Sequence, residues 1–291
     1  MKNRLLCFGS LNIDYTYAVK DFVSSGETIK SNGLQRNIGG KGLNQAIACA
    51  KAGGNVFQAG KIGNDGLFLK EYLDKNGVNT DLLNIGDTPT GHAIIQVNEK
   101  GGNCIIIHGG ANVEITDEYV DEVLTNFSSE DVLLIQNEIN NLSYIVKKAK
   151  ERQMTVVLNP SPVEGLDLPF ELIDIFVLNE HEGEAIFGES DVDKLVEKMR
   201  STHPSAIFVL TLGSDGAVYV DAEQRIFVPA EKVKAVDTTA AGDTFTGYFL
   251  NGIMTDKTSE EAMRFASKAA SVTVSKNGAA ESIPRYSELC E

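Results

Sequence analysis

Short apolar runs alternate with longer amphipathic stretches along most of this 291-residue chain. The short runs are bounded by polar or turn residues, and the longer stretches repeat apolar residues with the period of a helix. Strands buried on both faces that alternate with helices are typical of a mostly parallel, doubly wound α/β sheet with helices on both faces. The predicted strands are residues 5–8, 56–59, 132–135, 155–158, 175–178 and 207–210. The predicted helices are residues 43–52, 66–76, 117–126, 142–152, 193–202 and 259–276.

Two regions break this alternation and show the half-polar, period-two pattern of strands with one exposed face. The first contains residues 15–19 and 28–35, and the second contains residues 93–97 and 104–107 on either side of a turn. These segments form either edge strands of the main sheet or a small inserted β-layer, approximately residues 14–36 and 90–108. The motifs described below favour the β-layer, which would act as a lid over a substrate cleft on a single domain of residues 1–291.

The chain is strongly acidic, with 41 Asp and Glu residues against 26 Lys and Arg residues and a formal net charge of -15. A field of this sign repels phosphate backbones and anionic surfaces, so neither nucleic acid nor a membrane is expected as a partner. ATP is not excluded, because a local nest of backbone N–H groups outweighs the global field at short range.

The cysteines lie far apart in the sequence, without C-x-x-C spacing or a nearby histidine: Cys7, Cys49, Cys104 and Cys290. This pattern disfavours a disulfide framework and a zinc site. We predict reduced, buried thiols and a cytoplasmic protein.

The segment Asp237-Thr-Thr-Ala-Ala-Gly-Asp243 precedes an amphipathic run and carries small residues that allow a ligand close to the backbone. The N–H groups of Ala241, Gly242 and Asp243 would then face a phosphoryl group at a helix N-terminus. The Asp243 carboxylate could accept a proton from an attacking hydroxyl there. Alternatively, Asp243 serves only as the N-cap of the helix. The second aspartate, Asp237, and the small residues between the two favour a functional site.

A second glycine-rich segment, Gly39-Gly-Lys-Gly-Leu-Asn44, leads into a predicted helix. Its turn can direct Lys41 and Asn44 toward a polar ligand. The spacing matches neither a Walker A loop nor the G-x-G-x-x-G fingerprint of dinucleotide-binding folds. Asn12 and Asp14 follow the first predicted strand, where a doubly wound sheet places ligand-binding residues. They either hold hydroxyl groups or are ordinary polar residues of a turn.

Asn179 and Glu182 lie three residues apart where a helix begins after a predicted strand. They could hold a hydrated magnesium ion beside phosphates, or they could form a capping box. Residues 211–216, Thr-Leu-Gly-Ser-Asp-Gly, also follow a strand. They either shape a nucleotide pocket or turn a hairpin.

These motifs, in this order, resemble those of the ribokinase-like (PfkB) carbohydrate kinases over essentially the whole chain. The segments 39–44 and 237–243 resemble the two signatures of that family, and Glu138 and residues 278–284 add to the resemblance. The resemblance implies a sugar site formed by Asn12, Asp14, Gly40, Lys41, Asn44 and Glu138. It implies an ATP site formed by Asn179, Thr211, Gly213, Ser214, Gly216 and Gly242.

The resemblance also implies a catalytic group, two cations and an oligomer. Asp243 would be the base, the amides of Ala241 and Gly242 would form an anion hole, and Glu182 would organise Mg²⁺ through water. The family pairs its subunits through the β-lid, which implies a homodimer. A K⁺ activator would be held, mostly through carbonyl oxygens, by Asp237, Thr239, Thr273, Lys276, Gly278 and Ser282.

The implied reaction is transfer of the γ-phosphoryl group of ATP to a primary hydroxyl, the O5 hydroxyl if the sugar is D-ribose. One alternative is another acceptor within the family, such as deoxyribose, a fructose-type sugar or adenosine. A second is a dinucleotide-dependent oxidoreductase, which the missing G-x-G-x-x-G motif disfavours. A third is a non-catalytic sugar-binding protein, which the intact Asp243 disfavours.

Overall fold

The predicted strands lie within one nine-stranded sheet in a computed structural model that describes residues 4–289. The strand order is β13-β12-β11-β10-β9-β8-β1-β4-β5. All neighbouring pairs from β5 to β11 are parallel, and β12 and β13 extend the sheet as an antiparallel hairpin. The strands are β1 (Leu5–Phe8), β4 (Val56–Gly63), β5 (Leu83–Gly86), β8 (Val132–Gln136), β9 (Thr155–Asn159), β10 (Ile175–Asn179), β11 (Ile207–Thr211), β12 (Gly216–Val220) and β13 (Arg225–Pro229).

Two apolar cores lie on opposite faces of this sheet. Within β1, Leu5 and Cys7 belong to one core and Leu6 and Phe8 to the other, because successive strand residues point to opposite faces. The first core contains residues of α1, α2, α7 and α8, and the second contains residues of the other four helices. The helices are α1 (Lys41–Lys51), α2 (Leu67–Lys75), α3 (Asp117–Leu124), α4 (Leu142–Glu151), α5 (Glu180–Phe187), α6 (Val192–Thr202), α7 (Ala241–Met254) and α8 (Ser259–Val274).

Helix α7 is nearly all buried between α1 and α8, which brings its first turn against α1. Gly247 makes the α1 contact possible, since a Cβ atom there would lie 2.5 Å from the Cβ atom of Ala48. A larger residue would push the two helices apart. This close approach places the two glycine-rich motifs, which are about 200 residues apart in sequence, side by side.

The remaining strands form a separate four-stranded sheet in the order β3-β2-β6-β7, which we call the lid sheet after the role predicted for these strands. One expected strand is misplaced: residues 28–32 have no regular structure, and the strand begins at Gly33. Pairing explains the difference, because Ala18 at the end of β2 faces Gly33 and the intervening residues must reverse the chain. The strands are β2 (Asn12–Val19), β3 (Gly33–Gly39), β6 (Gly91–Asn98) and β7 (Asn103–His108).

The cysteines correct a second expectation. Cys7 and Cys49 are buried and unpaired, but Cys104 is exposed because it lies on β7, an edge strand whose residues all face solvent. Cys290 lies outside the described residues. Among residues 4–289, no helix has both the length and the apolar character needed to cross a bilayer.

Candidate active site

Polar residues end three adjacent strands of the main sheet: Asn159 on β9, Asn179 on β10 and Thr211 on β11. All three line one polar pocket together with Lys41, Glu182 and Asp243. The carboxyl ends of parallel strands meet at one edge of a sheet, and α7 begins opposite that edge. The pocket is therefore built from strand ends on one side and a helix N-terminus on the other.

The first turn of α7 starts at Ala240, whose left-handed conformation (φ 60) redirects the chain into the helix. Asp243 is therefore the third helical residue, and the alternative that it is the N-cap is wrong. The N–H groups of Gly242 and Asp243 have no acceptor within the described part of the chain, whereas the N–H of Ala241, predicted to face the same group, donates to the Thr238 carbonyl over 3.3 Å. Free N–H groups and the positive end of the helix dipole suit a phosphoryl group.

The Asp243 carboxylate is 9% exposed and is held by two neighbouring amides of α1. Asn44 Nδ2 donates to Oδ2 over 3.0 Å, and Gln45 Nε2 donates to Oδ1 over 2.9 Å. Asn44 Oδ1 is buried and has no partner among the described residues, which leaves it available to a ligand hydroxyl. The carboxylate is thus oriented before any substrate binds.

Lys41 begins α1 and lines the same pocket. Burial alone would lower the pKa of Lys41, but the carboxylates of Asp243, Glu138 and Glu182 outweigh burial and raise it. The ammonium group is therefore charged at neutral pH, in a position to neutralise negative charge on a transferred phosphoryl group.

Asn12 and Asp14 lie on β2, at the junction between the lid sheet and the main sheet. Burial, and then the charges of Glu138 and Glu281, raise the pKa of Asp14 to about 7. Gly39 is Asn12's partner on β3, and a Cβ atom there would collide with the Asp14 carboxylate. Only glycine leaves room for this carboxylate.

Glu138 joins the glycine-rich turn to the end of β1. Its Oε2 accepts a hydrogen bond from Ser10 Oγ and another, 3.1 Å long, from the Lys41 N–H. Gly40 packs against the backbone of residues 10–12, where a Cβ atom would lie 2.9 Å from Asn12 N. The residues predicted to contact the sugar therefore come together from β2, the start of α1 and the loop after β8.

Asn179 and Glu182 form the capping box that was one of their two predicted roles. Asn179 Oδ1 accepts from the Glu182 N–H over 2.9 Å, and Glu182 Oε2 accepts from the Asn179 N–H over 3.0 Å. The cap leaves Glu182 Oε1 without a partner among the described residues, and both side chains line the polar pocket. The cap therefore does not prevent a role toward a cation.

A second, largely apolar pocket adjoins the polar one and shares Thr211, Thr238, Ala241 and Gly242 with it. A flat apolar ring fits this second pocket while a charged group attached to it reaches the first. Gly213, Ser214 and Gly216, all predicted to contact the nucleotide, line the second pocket with Phe245, Ala270 and Val274.

Two of the residues predicted to hold K⁺, Thr239 and Gly278, meet at a third, Asp237. Its Oδ1 accepts from the Thr239 N–H and hydroxyl, and its Oδ2 accepts from the Gly278 N–H over 3.0 Å. The other side chains have partners elsewhere: Thr273 bonds Thr244, Lys276 pairs with Glu288, and Ser282 donates to the Ala279 carbonyl.

Sequence reasoning missed three residues of the site. Gln45 contacts Asp243, Asn159 lines the polar pocket, and Asn112 Nδ2 donates to Asn12 Oδ1 over 2.8 Å. Asn159 carried a usable signal, since it follows a predicted strand as Asn12 and Asn179 do. Gln45 and Asn112 carried none, because only tertiary packing turns them toward the site.

Comparison with known proteins agrees with this geometry. The model of the pfkB family carbohydrate kinases matches residues 2–285. The chain belongs to the pfkB family of carbohydrate kinases. This family member is 35% identical to the ribokinase of Haemophilus influenzae over 301 residues, which cover 100% of this chain and 98% of the relative. It is 34% identical to the ribokinase of Bacillus subtilis over 297 residues, which cover 99% of each chain.

Solved structures of the family have the same fold. Ribokinase from Thermotoga maritima is 36% identical, with a TM-score of 0.89 over 99% of this chain and 98% of its own. Arabidopsis thaliana ribokinase, solved in complex with ribose and ATP, is 30% identical, with a TM-score of 0.88 over 100% and 98%. The predicted fold class and family resemblance are confirmed, and the family favours the kinase over the oxidoreductase and binding-protein alternatives.

Proposed function

We propose that this pfkB-family kinase is a ribokinase, which transfers the γ-phosphoryl group of ATP to the O5 hydroxyl of D-ribose. The observation that carries the proposal is the Asp243 carboxylate, held at the N-terminus of α7 beside a polar pocket. Ribokinases from several organisms are 34–35% identical to this chain over 99–100% of its length.

The two substrates would occupy neighbouring parts of the cleft. The apolar pocket between β12 and α8 suits the adenine ring, and the polar pocket suits the phosphates. On the lid side, the Asp14 carboxylate would accept hydrogen bonds from sugar hydroxyls. Asn12 would donate to the sugar, because its Oδ1 is already occupied by Asn112. Gly40, Lys41, Asn44 and Glu138 would complete the sugar site.

The transfer forms a bond between O5 and the γ-phosphorus and breaks the bond between that phosphorus and the bridging oxygen of ADP. Asp243 would accept the proton released by the O5 hydroxyl. The Gly242 amide and the Lys41 ammonium would stabilise the charge on the phosphoryl oxygens, joined by the Ala241 amide once a phosphoryl oxygen displaces its Thr238 partner. Most of the rate enhancement would come from positioning, since phosphoryl transfer needs little covalent chemistry from the protein.

Two cations fit the residues present. Glu182 offers one free carboxylate oxygen beside the polar pocket, which suits a Mg²⁺ ion that keeps several waters and binds phosphates. The hydrogen bonds from the Thr239 and Gly278 N–H groups bring both loops to the Asp237 carboxylate, and backbone carbonyl groups of these loops would supply the further oxygen ligands that K⁺ needs. Mg²⁺ would shield the phosphate charge, and K⁺ would fix the loop that carries the Ala241 and Gly242 amides.

The lid sheet supports a homodimer. Leu34, Ile105, Ile106 and Ile107 are each at least 50% exposed, although branched apolar residues are normally covered. We therefore propose that a second copy covers this surface and that the single domain closes its lid over the sugar. The buried, unpaired Cys7 and Cys49 and the need for ATP are consistent with the cytoplasm.

The test is ADP release from Mg-ATP with ribose, deoxyribose, fructose or adenosine, with and without K⁺. We expect ribose-dependent, K⁺-stimulated turnover that falls by about 10²–10⁴ in an Asp243→Ala variant. Turnover with a different acceptor would support the kinase activity and contradict the assignment of ribose as the acceptor. A fully active Asp243→Ala variant would contradict the mechanism.

A further inference from the structure

Behind Asp243 lies a hydrogen-bonded network of three amide side chains, two of them buried, that joins α1 to the ends of the neighbouring strands β8 and β9. Gln45 on α1 and Gln136 on β8 are both 0% exposed, and Asn159 ends β9. Gln45 Nε2 donates to Asp243 Oδ1 and to Asn159 Oδ1, each over 2.9 Å. Gln136 Nε2 donates to Gln45 Oε1 over 2.7 Å.

The hydrogen-bond partners of Asn159 and Gln136 fix which atom of each amide group donates and which accepts. Asn159 Nδ2 donates to the Val177 carbonyl over 2.9 Å, so its Oδ1 must be an acceptor toward Gln45. Gln136 Nε2 also reaches Cys7 Sγ at 3.7 Å, which keeps its amino group directed toward Gln45. Both N–H groups of Gln45 and its carbonyl are therefore committed.

A flipped Gln45 amide would be unfavourable on all three sides. Its carbonyl would face Asp243 Oδ1 and Asn159 Oδ1, and its amino group would face Gln136 Nε2. Each mismatch would place two acceptors or two donors face to face around a side chain that is 0% exposed, which is costly. The network therefore holds Gln45 in the one orientation that donates to Asp243.

We propose that Gln45 is a positioning residue that aligns the Asp243 carboxylate for proton acceptance and that Gln136 and Asn159 keep it oriented. This inference rests on the proposed function, because it assigns Gln45 a role only through Asp243. Asn44 holds Oδ2 and Gln45 holds Oδ1, so loss of Gln45 frees the carboxylate to rotate about its Cβ–Cγ bond. A small displacement of a reacting group costs up to about 10²-fold in rate.

The decisive variant is Gln45→Met, which keeps the volume of the side chain and removes its hydrogen bonds. We expect kcat with saturating ATP and ribose to fall by about 10–100-fold, with KM for both substrates within about twofold. The matched control is Gln58→Met. Gln58 is equally buried, but its Nε2 donates to the carbonyls of Gly9 and Ala59 and not to Asp243. The Gln58→Met variant should lose about as much thermal stability as Gln45→Met and keep its kcat within about twofold of wild type.

A double-mutant cycle separates positioning from general damage. If Gln45 acts through Asp243, Gln45→Met should lower kcat no further in an Asp243→Ala background, as groups that act as a unit are non-additive. If Gln45→Met fails to fold, Gln136→Met replaces it. That variant leaves both Asp243 contacts in place but removes the donor to Gln45 Oε1, so the amide is held less firmly, and we expect a smaller loss of about 3–10-fold.

Each outcome decides between the two proposals. Unchanged kcat in Gln45→Met, or an equal loss in the Asp243→Ala background, would overturn the positioning role and leave the ribokinase assignment intact. A loss confined to KM would also overturn it. Wild-type protein that phosphorylates none of the acceptors would overturn both.

Discussion

Asp14 shows how a single residue can oppose stability while it serves a binding site. Burial, with the charges of Glu138 and Glu281, raises its pKa to about 7 from the ordinary 3.8. The folded protein therefore holds this proton more tightly than the unfolded chain. The stability contribution of the protonated form is fully present below about pH 4 and is lost as the pH rises through about 7.

We predict that Asp14→Asn stabilises the protein above neutral pH and impairs ribose use. The neutral amide avoids the cost of a buried charge. The free energy of unfolding at pH 8 should therefore rise by about 1–2 kcal/mol, and Tm should rise with it. The difference should shrink as the pH falls toward about 4. The kcat/KM for ribose should fall by about 10²-fold, because an amide cannot accept hydrogen bonds from two hydroxyls as a carboxylate does.

Thermal unfolding between pH 4 and pH 8, with the exposed Asp87→Asn as control, tests this prediction. Asp87 lies at the surface and should show no pH-dependent difference. An Asp14→Asn variant that is less stable than wild type at pH 8 would contradict the prediction.

At the scale of an element, one carboxylate at the N-terminus of α5, that of Glu182, both caps the helix and is a candidate cation ligand. Glu182 Oε2 completes the capping box with Asn179, and Glu182 also lines the polar pocket. Helix α8 begins with the same kind of box, formed by Thr258 and Glu261. Glu261 does not line either pocket described above. A comparison of the two glutamates therefore distinguishes a capping role from a role in cation binding.

We predict that Glu182→Gln lowers the apparent affinity for Mg²⁺ by about tenfold or more and changes stability little. Glutamine keeps a side-chain oxygen for the Asn179 N–H, so the free energy of unfolding should change by less than about 1 kcal/mol. The charge that attracts Mg²⁺ is lost. Turnover measured against Mg²⁺ concentration gives the affinity, and Glu261→Gln should leave it unchanged. Equal Mg²⁺ dependence in both variants would exclude Glu182 from the cation site.

At the scale of the whole molecule, the lid sheet exposes apolar residues on both of its faces. Ile105 and Ile107 lie on the face of Asp14, since Asp14 pairs with Ala93 and Ala93 with Ile107, while Ile106 lies on the other face. All three are 50–59% exposed on β7, an edge strand that pairs only with β6 among the described strands. Exposed edges and apolar faces of this kind are normally covered by a partner.

We predict a homodimer of 62.8 kDa, twice the 31.4 kDa of one chain. Light scattering coupled to size exclusion should give this mass for wild type. Ile106→Glu, or Ile105→Glu combined with Ile107→Glu, should shift it toward the monomer by placing charge in an apolar interface. Phe227→Glu is the control, because Phe227 is 53% exposed on β13, at the far edge of the main sheet. A monomeric wild type would contradict the dimer.

The amino-acid sequence by itself determined the doubly wound sheet and predicted many of the residues that line the candidate site. The buried strands were predictable because both faces of each strand pack on helices, so their residues are continuously apolar. The site residues Lys41 and Asp243 were predictable because glycine and small residues must surround a ligand held by backbone amides. These constraints are local, and they act within a few residues of one another.

Only the tertiary structure decided features that depend on distant partners. The start of β3 at Gly33 is set by its register with β2, and the exposure of Cys104 by the edge position of β7. Gln45 contacts Asp243 because a glycine lets α1 approach α7 closely, 198 residues along the chain. Its local sequence specifies a helical residue and nothing about the carboxylate it holds, because a hydrogen bond between distant elements has no local sequence pattern.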